Sequence, residues 1–166
     1  DTTAKLLSEK LGFKLIRGTM KTYAKEMGLD VLEFEKQYAE KSDEWDKKLD
    51  EWQREAVKKH KNCVLVSMLS AYNVPDADLK VFLTAPLEVR AKRISGRDKI
   101  PKERAVDYVR ERDRTFRERI RRIYGIDFWD PRLYDIVIDT SKFRPNEVVK
   151  IIIEELKKRG IIKELR

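Results

Sequence analysis

The stretch Asp78–Arg97, DLKVFLTAPLEVRAKRISGR, constrains the fold more than any other part of the chain. Leu79, Val81, Phe82 and Leu83 form a short apolar run rich in strand formers, set between Asn73-Val-Pro-Asp and Pro86. The run is too short for a free-standing helix, which predicts a covered strand of a parallel sheet. Pro86 then stands where a first helical turn accepts it. Beyond it Leu87, Arg90, Arg93 and Arg97 recur three or four residues apart, so the arginines share one side of a helix and emerge toward its C-terminal end. In open α/β sheets, ligands bind at the carboxyl ends of the strands. A row of guanidinium groups there suits a ligand with several anionic oxygens.

The net charge of +8 and pI near 9.5 point the same way, toward an anionic partner such as a nucleotide, a nucleic acid or a phosphate-rich surface. A solvated mixed-charge surface is the competing reading, since 41% of residues are charged. So much Lys, Arg and Glu beside one His and one Cys resembles a heat-adapted composition. Cys63 stands alone inside an apolar run, which excludes a disulfide framework and fits a reducing cytoplasm. No apolar stretch approaches the ~18 residues of a membrane span, so no membrane partner is expected. A length of 166 residues suits one domain, read as a monomer.

Along the chain, Thr2–Leu11 predicts an amphipathic helix stopped by Gly12, and Phe13–Ile16 a short strand. Helical segments follow over Lys21–Met27 and Val31–Ala39, then a long helix over Asp43–His60 capped by Ser42. Its apolar positions Trp45, Leu49, Trp52 and Val57 make a sparse stripe that covers a neighbour. Asn62–Met68 reads as a strand, Pro101–Tyr124 as a long helix ended by Gly125, Tyr134–Asp139 as the last strand, and Asn146–Lys158 as the last helix, closed by Gly160. The order is that of an α/β protein, without internal repeat or linker. Such a sheet normally opens with a strand, whereas this chain enters a helix directly. A strand and loop of about 10 to 15 residues are therefore expected before Asp1.

Seven of the thirteen residues from Arg110 to Arg122 are arginine. Val109, Phe116, Ile120 and Ile123 form the apolar stripe of that helix, with Arg112 and Arg119 at its border. Side chains beside an apolar seam lie near the body of the protein and can be aimed at a phosphorylated ligand. The outer row, Arg110, Arg114, Arg117 and Arg121, is expected to face water or to pair with Glu111, Asp113 and Glu118.

Several further segments occur in order: AKLLSEKLGFKLI, DVLEFEKQYAE, D-x-x-L-D at Asp46–Asp50, APLEVRAKRI, IYGID at Ile123–Asp127, and YDIVIDTS followed by P-x-E-V-V. Together they resemble the nucleoside monophosphate kinases, and most the archaeal cytidylate kinases, from Thr2 to about Gly160. The resemblance implies a P-loop NTPase fold whose parallel sheet has five strands in the family, the first absent here, flanked by helices. It implies a single domain over residues 1–166, with acceptor-binding helices at 18–60 and a helical lid at 98–126. The phosphate loop would lie just before Asp1.

The same resemblance implies the site. Asp1 falls where the family places the hydroxyl residue that reaches magnesium, and Thr2 follows it beside ATP. Arg93 corresponds to the arginine that packs on adenine and Arg97 to the one near the phosphates, with Thr140, Lys142 and Pro145 bordering the base. Arg112 and Arg119 fall at the lid arginines, with Thr115 between them, so Arg97, Arg112 and Arg119 are the expected catalytic cations. Lys21 stands where an arginine holds the monophosphate, and Asp46 and Asp50 match acidic positions near the acceptor nucleoside. Solvation of an exposed helix is the competing reading of the two aspartates.

The implied reaction is transfer of the ATP γ-phosphoryl group to a nucleoside monophosphate, CMP or dCMP first, with ATP and Mg2+ as cofactors and nucleotides as partners. One segment departs from the pattern. Where the family has an acidic residue, a glycine and an arginine, this chain has Val66, Ser67 and Met68. That departure keeps an alternative open, a catalytically impaired P-loop domain that binds nucleotide, or RNA through its basic face, without phosphoryl transfer.

Overall fold

The structure, a computed structural model, describes residues 2–30, 33, 34, 37 and 42–163. The expected metal position at Asp1, most of the helix expected over Val31–Ala39 and the capping side chain of Ser42 lie outside the described residues. Two compact units emerge, residues 1–78 with 149–166, and residues 79–148.

In the first unit, helix α1 (Thr2–Leu11) buries Ala4 and Leu7 and packs on a parallel pair, β1 (Lys14–Arg17) and β2 (Cys63–Val66). β1 keeps the expected four residues but lies one position later than Phe13–Ile16, and β2 is shorter than the expected Asn62–Met68 because the ladder extends only as far as both partners do. Helix α2 (Met20–Glu26) starts on Thr19, whose hydroxyl accepts from the Thr22 amide, as N-caps do. The long helix α3 (Ser42–Lys59) has Asp43 and Glu44 in its first turn and Lys58 and Lys59 in its last, which complements its dipole. Its stripe covers an aromatic cluster as expected: Tyr23, Ala24, Phe34 and Leu49 are buried, and Trp45 and Trp52 flank them. The rings of Phe34 and Trp45 meet edge to face at 4.8 Å, and those of Tyr23 and Trp52 at 5.9 Å. A four-residue helix, α4 (Ser70–Asn73), follows β2; it is too short to leave a periodic signal in the sequence.

The second unit begins with the stretch that opened the sequence reading. Strand β3 (Val81–Thr84) pairs in parallel with β4 (Ile136–Asp139), and Phe82 lies opposite Val137. Pro86 caps α5 (Leu87–Asp98), and α6 (Lys102–Tyr124) packs on it through Ala91, Ala105 and Val109. Small residues at that crossing let the two backbones approach closely. Gly125, at φ 69°, ends α6 in the left-handed conformation that glycine adopts without strain. A 3-10 turn (Pro131–Leu133) leads into β4, and Tyr134 stacks on Phe82 at 4.7 Å while its hydroxyl donates to the Phe128 carbonyl at 2.6 Å. The last helix, α7 (Pro145–Lys158), buries Val148, Val149, Ile152, Ile153 and Leu156 on one face. Among the described residues, no helix is long and apolar enough to cross a membrane.

Candidate active site

On the first unit, the acidic positions of α3 are not a solvated face. Asp46 and Asp50, one helical turn apart, are 6% and 4% exposed, which overturns the competing reading of them as solvated. Burying a carboxylate without polar neighbours is costly, and Asp50 has one: its Oδ1 accepts from Asn73 Nδ2 at 2.8 Å. The same Nδ2 reaches Gln53 Oε1 at 3.3 Å, and that oxygen also accepts from Ser67 Oγ at 2.8 Å. Gly18, just past β1, closes the arrangement. A Cβ there would lie 2.6 Å from Gln53 Cδ and 2.7 Å from Ser67 Cβ, so only glycine fits without displacement. Because Gly18 follows β1 and Ser67 follows β2, the network sits at the carboxyl edge of the strand pair, where α/β folds hold ligands. Lys21, in the first turn of α2, is exposed. A cavity of about 200 Å³ also opens between β1 and α3, lined by Arg17, Glu26, Trp52, Lys59 and His60 among others, and no predicted site residue lines it.

On the second unit the carboxyl edge carries the predicted donor-side residues. Thr140 extends the ladder past β4, its amide donating to Thr84 O at 2.8 Å and its hydroxyl to the same oxygen at 3.1 Å. Arg93 reaches that point from α5, its two terminal nitrogens donating to Thr140 Oγ1 at 2.9 Å and Thr140 O at 3.0 Å. The structure thus brings together Arg93 and Thr140, two of the residues expected beside ATP. Next to them Asp139 accepts from the amide and hydroxyl of Ser141, bonds that hold its carboxyl below the usual carboxylate range, with Lys142 and Arg93 adding to the effect. Arg97 is exposed and bonds to its neighbour Asp98 at 2.8 Å, which raises the guanidinium pKa further and lowers that of the aspartate.

The arginine helix divides as follows. Val109 and Ile120 are buried and Phe116 and Ile123 half-buried, so the apolar stripe is as predicted. Arg112 is exposed, and Arg119 is half-buried with its guanidinium 5.0 Å from the Phe116 ring. Arg114 pairs with Glu111 and Glu118 as expected of the outer row. Arg117 departs from that expectation. It is half-buried, lies 4.2 Å from the Trp129 ring and bonds Asp127 through Nε at 3.1 Å and its terminal nitrogen at 2.5 Å. Asp113 departs too: it takes a bidentate pair from Arg90, at 2.9 and 2.8 Å, and so ties α6 to α5. Both pairs join residues far apart in sequence, and helical angle alone cannot foresee a partner on a later loop or a neighbouring helix.

The family model described as "Cytidylate kinase-like family" matches residues 1–142. The chain belongs to the cytidylate kinase-like family. Relatives agree with that placement over nearly the whole length. A cytidylate kinase of Methanobrevibacter smithii is 41% identical over 158 residues, covering 94% of this chain and 91% of its own. One from Sulfolobus acidocaldarius is 36% identical over 164 residues, covering 97% and 90%. A crystal structure of an uncharacterized protein from Eubacterium ventriosum superposes with a TM-score of 0.70 over 94% of this chain and 90% of that one, at 20% identity, which supports the α/β fold alone. Gln53 and Asn73 are residues that sequence reasoning passed over, and Ser67 entered it only as a departure from the family pattern. Gln53 lies one turn beyond the D-x-x-L-D motif, and a polar residue continuing the buried face of α3 was the available signal.

Proposed function

We propose that the chain is an ATP-dependent nucleoside monophosphate kinase that transfers the γ-phosphoryl group of ATP to CMP or dCMP. Family membership and the relatives named cytidylate kinase support this reading. The observation that carries it into the chain's own chemistry is the Arg93–Thr140 pair at the carboxyl edge of β3 and β4, backed by the cations of α5 and α6. The finer fold belongs to the same proposal: one P-loop kinase domain over residues 1–166, a parallel sheet with five strands in the family and the first absent here, acceptor-binding helices at 18–60 and a lid at 98–126.

Phosphoryl transfer asks little covalent chemistry of the protein; alignment and stabilisation of charge on the equatorial oxygens do most of the work. In this scheme Lys21 anchors the acceptor phosphate, Asp46 and Asp50 border the acceptor nucleoside, and Arg93 seats the adenine with Thr2, Thr140 and Lys142 around ATP. Arg97, Arg112 and Arg119 supply the positive charge, and closure of the helix that carries Arg112 and Arg119 excludes water from the phosphoryl group. Among the described residues no three metal-ligating side chains converge. Magnesium accompanying ATP would have Asp1 as its candidate protein ligand, with phosphate oxygens and water as the other ligands this ion usually takes. When bound, the ion supplies charge neutralisation across the donor phosphates.

The test is a coupled ADP-release assay of the full chain against AMP, CMP, UMP, dCMP and dTMP. Turnover with CMP or dCMP, lost in Arg112→Ala, is the expected result. Absence of turnover with every acceptor, together with RNA binding that weakens steeply with salt, would favour the binding-module alternative instead.

A further inference from the structure

The segment in which this chain departs from the family pattern, Val66-Ser67-Met68, ends in the buried polar network described above. Ser67 supplies a hydroxyl where a glycine has none, and that hydroxyl donates to Gln53 Oε1 at 2.8 Å. Gln53 and Asn73 are each 1% exposed. An amide of asparagine has two N–H donors and one acceptor oxygen, and here the orientation is set by the partners. Nδ2 of Asn73 faces two oxygens, Asp50 Oδ1 at 2.8 Å and Gln53 Oε1 at 3.3 Å, so exchanging its nitrogen and oxygen would set oxygen against oxygen. With the amide fixed in that sense, Asn73 Oδ1 points elsewhere, and it is buried without a hydrogen-bond partner among the described residues. Native structures leave few such acceptors unsatisfied, and each that remains calls for an explanation, of which a donor on a bound ligand is one.

We propose that Asn73, held by Asp50 and by the Ser67–Gln53 pair, sets the base preference of the acceptor site, presenting Oδ1 as a fixed acceptor for an exocyclic amino group. This inference rests on the kinase reading and deepens it. A nucleoside monophosphate whose base carries an amino group, as cytosine does, can donate to Oδ1. Uracil and thymine carry a carbonyl at the same ring position and would set one acceptor against another. Discrimination of this sort is large when a buried polar group of the site is left unpaired by the wrong substrate. Ser67 and Gln53 act through Asn73 and are positioning residues: they hold its amide in one orientation and touch no substrate.

Steady-state kinetics with CMP and UMP separates the possibilities, with KM for ATP and the far-ultraviolet circular dichroism melt measured alongside. Wild type is expected to favour CMP. Asn73→Leu, which keeps the size and removes both polar atoms, should lower the CMP-to-UMP ratio of kcat/KM on the order of 10-fold or more, with KM for ATP unmoved. Ser67→Ala removes only the outer hydroxyl and should lower the ratio by a few fold; it decides the matter if Asn73→Leu does not fold. Ratios within twofold of wild type in the folded variants would overturn the inference and leave the kinase reading intact, as would a wild-type preference for UMP over CMP. A wild-type protein that phosphorylates neither nucleotide overturns the kinase reading, and this inference with it.

Discussion

Polar side chains of the two units are used in opposite ways. On the first unit Asp50, Gln53, Ser67 and Asn73 turn inward and bond to one another, with three of them at most 4% exposed. On the second, Arg114 of α6 lies at the surface against Glu111 and Glu118, while Arg117 and Arg119 are half-buried against Trp129 and Phe116, Arg117 bonding Asp127 as well. Buried hydrogen bonds fix geometry, since each leaves a desolvated group behind when it is broken. Exposed ion pairs contribute little to stability but keep positive charge within reach of a ligand. On the proposed reading, one unit would serve discrimination between acceptors, and the other would gather charge around the transferring phosphate. Substitutions should separate exposed side chains, whose loss changes rate or nothing, from covered ones, whose loss changes folding.

The largest effect is expected at Arg112, which is exposed and so free to serve the ligand without structural cost. Arg112→Ala should slow kcat on the order of 100-fold or more and leave the melting temperature unchanged. A variant with full activity would remove Arg112 from the site. Next in size is Gly18→Ala on the first unit, where the added methyl meets Gln53 and Ser67 at under 3 Å. A loss of about 1–3 kcal/mol in a urea titration is expected from overpacking; a neutral result would mean that the network yields easily and cannot fix Asn73.

Arg117→Ala should cost about 1–2 kcal/mol, because it removes both the Asp127 pair and the contact with Trp129. The pair also has a pH signature. Arg117 holds the Asp127 carboxyl below its ordinary value, so the stability it confers is present above the unfolded value near 4 and is lost as pH falls through the depressed folded one. Below about pH 4, the wild-type melting temperature should therefore fall more steeply than that of Arg117→Ala, and parallel curves would refute the linkage. The smallest effect belongs to Arg114→Ala. Its partners Glu111 and Glu118 are exposed, and the melting temperature should stay within experimental error.

The same contrast explains what could be read in the sequence. Punctuation and periodicity located the strand and helix around Pro86, the ends at Gly12, Gly125 and Gly160, and the apolar stripe of α6, since each is a local property of the chain. Arg93 and Thr140 were placed beside ATP only through the family resemblance, and the bond between them was not foreseen. Polar burial was not foreseen either. Asp46 and Asp50 read equally well as solvated, since nothing in their own segment reveals that Asn73 returns to meet Asp50 from α4, 23 residues beyond it. Arg117 was assigned to the water face by helical angle, yet Trp129 and Asp127 on the following loop reach back to cover it.

The most direct test of phosphoryl transfer to the acceptor is product stoichiometry. The full chain is incubated with Mg-ATP and CMP, and the nucleotides are resolved by anion-exchange chromatography. CDP and ADP forming in equal amounts, with ADP absent when CMP is withheld, is the expected result. ADP accompanied by inorganic phosphate and no CDP, or no ADP at all, would contradict it.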